Sequence, residues 1–266
     1  MKIKSILLGT VIAFSCSLSA QENVYKFTKV VENPSTPIKD QAETGTCWCF
    51  GTTSFIESEL LRTGKGEFDL SEMFTVRHNY RHRIFDNYLR EGNGSIVEGS
   101  LGHMAINMMD KYGLVPQYAY SGINYDSPKH DHNELSAYVA ALASVTTERS
   151  VLTPESIELQ EALFDIYLGK LPETFEYNGK EYTPLSFKEY LGLDFSDYVD
   201  ITSFTHLPFY EKVLLELPDN WDNGTMYNVP LEEMIEIIDH ALLNGYTVAW
   251  SGDISEPGYV LARDLS

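Results

Sequence analysis

Cysteine is scarce in this sequence, with three among 266 residues. Cys16 lies in an apolar N-terminal stretch, which leaves Cys47 and Cys49 for the rest of the chain. On a helix, two side chains spaced this way would point roughly 200° apart, so they could not pair without unwinding the backbone. The sequence therefore excludes a small disulfide-stapled domain, and these two cysteines require another explanation.

Long apolar runs are missing as well. No segment reaches the roughly 20 apolar residues that a membrane-spanning helix needs, so no membrane insertion is expected. The first 20 residues contain two early lysines, an apolar stretch and small residues at the end, a pattern typical of a secretory signal peptide. We expect cleavage after Ala20 and export to the periplasm or the extracellular space. The alternative, lipid attachment at Cys16, is disfavoured because residues 13–15 make a poor lipobox.

Positive charge is the third deficit. Lysine and arginine number 19 against 39 acidic residues, giving a formal net charge of -20, and loss of residues 1–20, with two lysines and no acid, makes it -22. A chain this acidic would be repelled by nucleic acid. Its 43% hydrophobic and 12% aromatic content is ordinary for a folded globular protein.

Most of the structural patterns in the sequence are typical of helices. After a proline-punctuated lead-in over residues 30–39, a buried helix is expected from Cys47 to Arg62, with small residues in its first turns that allow other elements to pack on several sides. Apolar spacing predicts further helices at about 100–111, 156–168 and 230–245, and residues 127–175 are expected to be mostly helical. A strand over residues 246–250 is expected to follow the last helix.

The stretch from Gln41 to Phe50 resembles the signature of the papain superfamily of cysteine peptidases. There, a glutamine stands six positions before the cysteine, a glycine and a small residue lead into it, and a tryptophan follows; the matching residues are Gln41, Gly45, Thr46, Cys47 and Trp48. The resemblance implies that Cys47 is the nucleophile and that the Gln41 side chain and the Cys47 amide form the oxyanion hole. A helix N-terminus would favour the reactive thiolate. The simpler alternative is two small buried hydrophobic residues on a core helix.

Two later segments match the same superfamily in order. Residues 69–72 read Asp-Leu-Ser-Glu, as after the central helix of these enzymes, and residues 98–116 are similar to their glycine turn, helix, glycine and proline segment. By this resemblance, Gly99 and Ser100 lie on the strip whose backbone binds an extended peptide. The superfamily usually has two glycines there, so Ser100 departs from the pattern. Helix capping is the ordinary alternative for this serine.

Thr44 stands where many secreted papain-like enzymes have a disulfide cysteine, which points to the bleomycin hydrolase and aminopeptidase C branch. That branch implies an α+β, papain-like fold. We expect a helical left domain over residues 21–126, a helical insertion over 127–195 and the start of the right, β-barrel domain over 196–266. The branch also implies trimming of peptides from the N-terminus and, in some members, hexameric rings.

A cysteine peptidase also needs a histidine to share the thiol proton and an asparagine or aspartate to orient it. In papain-like enzymes the histidine follows the cysteine by about 130 to 150 residues, a window covering Asn178 to Val199 here, and none occurs in it. His206 and His240 are interpreted as structural or exposed, and so is His103. Residues 130–132, His-Asp-His, are interpreted as a polar loop rather than a metal site.

Three functions remain compatible with the sequence. The first is a cysteine peptidase, most simply an aminopeptidase, in a shortened chain that lacks its catalytic histidine and asparagine and is inactive alone. The second is a catalytically dead relative that binds peptides. The third is a redox or metal protein using Cys47 and Cys49, which would require Cys49. The first two involve peptides as the partners and no metal or other cofactor.

Overall fold

A run of helices begins at Cys47 in the computed structural model, which describes residues 28–149 and 151–252. The helices are α1 (Cys47–Arg62), α2 (Glu72–Leu89), α3 (Gly102–Tyr112), α4 (Asn133–Glu148), α5 (Pro154–Leu168), α6 (Pro184–Leu191) and α7 (Leu231–Leu243). The strands are β1 (Phe175–Tyr177), β2 (Lys180–Tyr182), β3 (Ile201–Thr202), β4 (Glu211–Leu214) and β5 (Thr225–Asn228). The chain divides into two units, Met1–Val30 and Val31–Ser266, and all of these elements belong to the second.

The strands form two small sheets. β1 and β2 make an antiparallel hairpin, whereas β5 lies between β3, to which it is parallel, and β4, to which it is antiparallel. Helices packed with separate small sheets make an α+β fold, so the predicted fold class is confirmed. The division at residues 126 and 195 stays a prediction. The predicted signal peptide lies outside the described residues, and none of the described helices is long and apolar enough to cross a membrane.

Helix α1 is packed on most of its sides. Helices α2 and α3 both lie against it. Eight of its sixteen residues are buried, among them Trp48, Ile56 and Leu60, which join the main hydrophobic core. Small side chains such as Thr52 and Thr53 lie in its first turns and are buried too. The predicted central helix is confirmed, from its first residue to its last.

Helix α2 was not predicted from the sequence. It buries twelve residues, several of them polar or charged, and these conceal the apolar residues that recur at helical spacing from Met73 to Ile84. Arg77, only 3% exposed, donates hydrogen bonds from Nη2 to Glu161 and Asp165 at 2.9 and 2.7 Å. Because these contacts satisfy the buried charge, the helix can pack inside the fold despite its polar composition.

The other predicted elements agree with the structure to different degrees. Helices α3, α5 and α7 lie within two residues of their expected bounds, and residues 127–175 are mostly helical, as expected. The β1–β2 hairpin was missed, although Asn178 and Gly179 form its turn with positive φ angles of 51° and 74°. The strand predicted over residues 246–250 is wrong: this segment pairs with no described strand, because apolar alternation alone supplies no hydrogen-bonding partner.

A cluster of charges fastens the extended lead-in to the helices. The Lys39 ammonium lies 2.8 Å from Glu57 Oε1 on α1, 2.9 Å from Glu72 Oε1 on α2 and 2.8 Å from Asp69 Oδ1. The Glu57 side chain is fully buried, and its Oε2 also accepts a hydrogen bond of 2.5 Å from Thr36. Burial lowers the pKa of Lys39, but the three carboxylates outweigh this and raise it. The cluster thus fixes the segment that leads to Gln41.

Glu72 should make the stability of the protein depend on pH. Burial raises the pKa of Glu72 from 4.5 to about 7, against the opposing effect of Lys39. Between these values the folded protein binds a proton that the unfolded chain has released, so this contribution to the free energy of unfolding falls as the pH rises from 4.5 to 7. We expect Glu72→Gln to remove roughly 3 kcal/mol of this dependence, measured by urea denaturation at pH 5 and pH 8.

Asp69→Asn is the matched control, because its carboxylate touches the same lysine but is 67% exposed. Its effect on the difference between pH 5 and pH 8 should be small. An unchanged pH dependence in Glu72→Gln would show that Glu72 is not the group that titrates.

Candidate active site

The thiol of Cys47 stands at the first residue of α1. Its side chain is exposed and makes no hydrogen bond to any described residue. The preceding Thr46 is buried but places no side-chain cap on the helix, and no acceptor for the Cys47 N–H lies among residues 28–149 and 151–252. Unsatisfied amides at a helix N-terminus attract negative charge. An exposed thiol and a hydrogen-bond donor for an incoming oxygen are therefore both available at this residue.

Gln41 lies in the loop that leads to α1. Its Nε2 donates a hydrogen bond of 2.6 Å to the carbonyl of Thr44, and the hydroxyl of Thr44 donates back to the Gln41 carbonyl at 3.0 Å. Between them, Ala42 adopts a positive φ of 51°, which tightens the turn. One N–H of the Gln41 amide is thus used within the loop, and the second is left for another acceptor. The oxyanion role of Gln41 stays a prediction.

Cys49 occupies a different environment from Cys47. It is fully buried, and its thiol donates to the carbonyl of Glu72 at 3.4 Å. Burial raises the pKa of the Cys49 thiol well above its usual value, which keeps it protonated. Within the described ranges, no group of three His, Cys, Asp or Glu side chains is arranged to hold a metal ion. The geometry assigns Cys49 to the core and gives no support to a joint redox site.

The predicted substrate strip lies beside a buried arginine. Arg83 Nη1 donates to the carbonyl of Gly99, so that this oxygen is already in use. The Ser100 hydroxyl is buried, accepts from Trp221 Nε1 at 3.2 Å and contacts Met104 Sδ at 2.6 Å. It caps no helix, because the residue at the N-cap of α3 is Leu101. The role of Gly99 and Ser100 in substrate binding stays a prediction.

Space at Gly99 is limited. A β-carbon at this position would lie 3.1 Å from both carboxylate oxygens of Asp219. Asp219 belongs to the segment between β4 and β5, so residues from the last third of the chain border the strip. Sequence reasoning missed this neighbour, because the two residues are separated by 120 positions and share no motif.

All seven histidines of the sequence lie in the described residues, and none of them hydrogen-bonds Cys47. His103 Nε2 instead contacts Asp222 Oδ1 at 2.9 Å. His206 and His240 are exposed, in agreement with their interpretation from the sequence. The other four histidines have aromatic neighbours: His78, His82, His130 and His132.

The interpretation of residues 130–132 as a polar loop requires correction. His130 is only 8% exposed and His132 is fully buried. The Tyr80 hydroxyl lies 3.0 Å from His132 Nδ1, and Phe50 packs edge-on against His130. Burial lowers the pKa of His132 to about 4, so this imidazole is neutral at pH 7. Apolar and aromatic neighbours far away in the sequence bury these rings, which the local polar composition did not reveal.

Glu98 makes a contact with the loop over residues 41–46 that the sequence did not indicate. Its Oε2 accepts a hydrogen bond of 2.5 Å from the amide of Gly45, and its carbonyl accepts one of 3.0 Å from Trp48 Nε1. Its Oε1 accepts from the hydroxyl of Ser136 on α4. Three elements therefore meet at this residue, which lies directly before Gly99.

Comparison with known proteins agrees with this geometry. The family described as "Papain family cysteine protease" matches residues 26–165, more than half of the chain. Aminopeptidase G of Lactobacillus delbrueckii subsp. lactis is 23% identical, over 84% of this chain and 60% of its own length. Aminopeptidase C of the same organism is 22% identical, over 92% of this chain and 65% of its own length. The chain thus spans about three fifths of the length of these curated relatives.

A solved structure supports the fold. The crystal structure of PepW from Lactobacillus rhamnosis HN001 superimposes with a TM-score of 0.61 at 19% sequence identity. The match covers 82% of this chain and 58% of the other. At this identity the likeness concerns the fold alone, and it agrees with the papain-like arrangement expected from the sequence.

The two thiols should differ in reactivity. We expect iodoacetamide to alkylate Cys47 and to leave Cys49 unmodified in the folded protein, because only the Cys47 side chain is exposed. Tandem mass spectrometry should locate one adduct on this peptide in native buffer and two in urea. Cys49→Ala should keep the native adduct and Cys47→Ala should lose it. Rapid native labelling of Cys49 in the Cys47→Ala variant would contradict its burial.

Proposed function

The chain belongs to the papain family of cysteine proteases, and we propose that it carries the nucleophile of a thiol aminopeptidase. The observation that carries this proposal is the exposed Cys47 at the N-terminus of the buried α1, within a sequence that matches the family. Relatives named aminopeptidase G and aminopeptidase C support removal of residues from the N-termini of peptides. The substrates proposed are therefore peptides with a free N-terminus.

In the proposed reaction, the deprotonated thiol of Cys47 attacks the carbonyl carbon of the peptide bond. A carbon–sulfur bond forms and the carbonyl oxygen becomes an oxyanion, which the Cys47 amide and the free N–H of Gln41 would stabilise. The carbon–nitrogen bond then breaks, and the nitrogen takes up a proton to leave as an amine. Water hydrolyses the resulting thioester, which releases the acid and restores the thiol.

Proton transfer is the step for which no hydrogen-bonded partner of Cys47 is found among the described residues. An amine is a poor leaving group unless it is protonated, and papain-like chemistry uses a histidine for this purpose. None of the seven histidines hydrogen-bonds Cys47. We infer that this chain alone hydrolyses peptide bonds poorly, while Cys47 still reacts with carbonyl compounds whose leaving group needs no proton.

The same observation favours a second candidate function. Without a histidine beside Cys47, the chain would bind peptides along residues 99–100 and not cleave them. In that case the location of Cys47 at the N-terminus of α1 does not increase the reactivity of its thiol. Iodoacetamide would then modify Cys47 at pH 6 no faster than a simple free thiol, whereas an activated nucleophile reacts faster.

Export and assembly are further proposals. Residues 1–20 support secretion, and the family branch supports a homo-oligomer. N-terminal sequencing of the protein from the producing cell should begin at Gln21, and retention of Met1 in the cytosolic fraction would contradict export. Light scattering of the purified chain decides between a monomer and an oligomer.

Esters should separate nucleophilic reactivity from amide hydrolysis. We expect an aminoacyl p-nitrophenyl ester to acylate Cys47, because p-nitrophenolate leaves without a proton, and the corresponding p-nitroanilide to remain uncleaved. Mass spectrometry should show the acyl adduct, and absorbance should show the release of p-nitrophenol.

Cys47→Ala is the control for this experiment and should abolish the adduct, whereas Cys49→Ala should keep it. Acylation of the wild-type chain no faster than that of free cysteine would sink the aminopeptidase proposal and favour peptide binding. Cleavage of the p-nitroanilide that depends on Cys47 would show that a residue within this chain does supply the proton.

A further inference from the structure

We propose that Glu98 is a positioning residue, whose carboxylate holds the Cys47 loop, defined as residues 41–46, at a fixed place beside the substrate strip. This inference rests on the proposed function for its catalytic meaning. Glu98 does not contact the thiol. It acts through the backbone amide of Gly45, two residues before Cys47.

The carboxylate is surrounded by hydrogen-bond donors. Its Oε2 lies 2.5 Å from the Gly45 nitrogen and its Oε1 accepts from Ser136, while the side chain is 19% exposed. His132 Nδ1 lies 3.8 Å from Oε2, but this imidazole is neutral at pH 7, since burial lowers its pKa to about 4. The donors to the carboxylate, the Gly45 amide and the Ser136 hydroxyl, are both uncharged. Hydrogen bonds to a charged acceptor are stronger than bonds between neutral groups, so these two bonds can hold the carboxylate without a positive partner.

Glu98 also reaches the nucleophile helix through its backbone. The carbonyl of Glu98 accepts from the indole of Trp48, the residue directly after Cys47. Glu98 therefore contacts the chain on both sides of the thiol, through the backbone amide of Gly45 before it and through the side chain of Trp48 after it. Because Gly99 follows immediately, any movement of this residue changes the distance between the thiol and the strip.

The approach between the loop and Glu98 is too close for any side chain at position 45. A β-carbon added to Gly45 would lie 2.8 Å from Glu98 Cβ, which is shorter than a normal contact. The glycine in the motif is thus needed for this contact as well as for the entry into α1. A substitution of Gly45 is therefore a second, independent way to disturb the contact between the loop and Glu98.

The opposite side of the loop is held by backbone pairing. Glu43 donates from its amide to the His130 carbonyl at 3.1 Å and accepts from the His132 amide at 3.0 Å. Residues 43 and 45 are therefore fixed separately, the first by main-chain hydrogen bonds and the second by a charged side chain. Only the second attachment can be removed by a point mutation that leaves the backbone unchanged.

Glu98→Ala is the principal test, made in the full chain with the p-nitrophenyl ester as the probe. We expect acylation of Cys47 to slow roughly tenfold, since small displacements of reacting groups have large effects on rate. Hydrogen exchange of the Gly45 amide should accelerate by at least a similar factor, because its acceptor is gone. Glu98→Gln keeps a carbonyl oxygen for that amide and should restore both rates to within about threefold of the wild type.

Glu134→Ala is the matched control, because it removes the same charge from an exposed glutamate on α4 that bonds Tyr167 at 2.7 Å, away from the Cys47 loop. It should leave both rates unchanged. Thermal melting and the protection of Cys49 from alkylation report whether each variant is folded. If Glu98→Ala is unfolded, Gly45→Ala replaces it, with the same slowing expected while the carboxylate stays in place.

The proposal would be overturned if Glu98→Ala acylated Cys47 at the wild-type rate while its Gly45 amide exchanged rapidly. The loop would then be released without effect on the thiol. Slowing in Glu98→Gln as large as in Glu98→Ala, with Gly45 still protected, would overturn it too, because charge rather than position would then matter. If the wild-type thiol itself is unreactive, the aminopeptidase proposal fails. The exchange rates of Gly45 alone then support or reject the role of Glu98 in holding the loop.

Discussion

The burial of α1 is the constraint on which the candidate site depends. A helix enclosed by α2 and α3 cannot slide or tilt without opening the core around Ile56 and Leu60. Its first residue, however, reaches the surface, so a firmly packed element carries the exposed thiol of Cys47. Amides that have no partner within the helix are presented at the same point. The reactivity proposed for Cys47 therefore rests on how the helix is packed, since no charged side chain among the described residues is bonded to the sulfur.

Enclosing α1 places polar groups in the interior, and the fold satisfies them with charges from other segments. Glu57, near the middle of α1, is fully buried and is paired with Lys39 from the lead-in. Arg83 on α2 is almost fully buried and donates to carbonyls in the segment that contains the strip. Such pairs contribute little net stability compared with apolar packing, because desolvation offsets their attraction. Each does fix the path of a loop, and these are the loops that lead to Gln41 and to Gly99.

The sequence was sufficient where the physical signal is local. The bounds of α1 followed from apolar spacing, small residues and the glycine at position 64, and the residues around Cys47 indicated the family by their order and spacing alone. Where burial is polar, the sequence was not sufficient: α2 buries polar and charged residues beside its apolar ones, and His132 lies in a segment that looks like an exposed loop. Contacts across long separations were also invisible, since 53 residues separate Glu98 from Gly45.

These failures concern the same kind of interaction. A hydrogen bond between distant residues leaves no periodic pattern, yet such bonds decide where the Cys47 loop lies relative to the strip. The loop is attached to residues 130–132, to Glu98 and, through Lys39, to the charge cluster, and these attachments come from three separate stretches of the chain. Several segments among the described residues thus hold the loop before Cys47, whereas none of the seven histidines is hydrogen-bonded to its thiol. Placement of the thiol and proton transfer are separable physical tasks here, and each can be measured without the other.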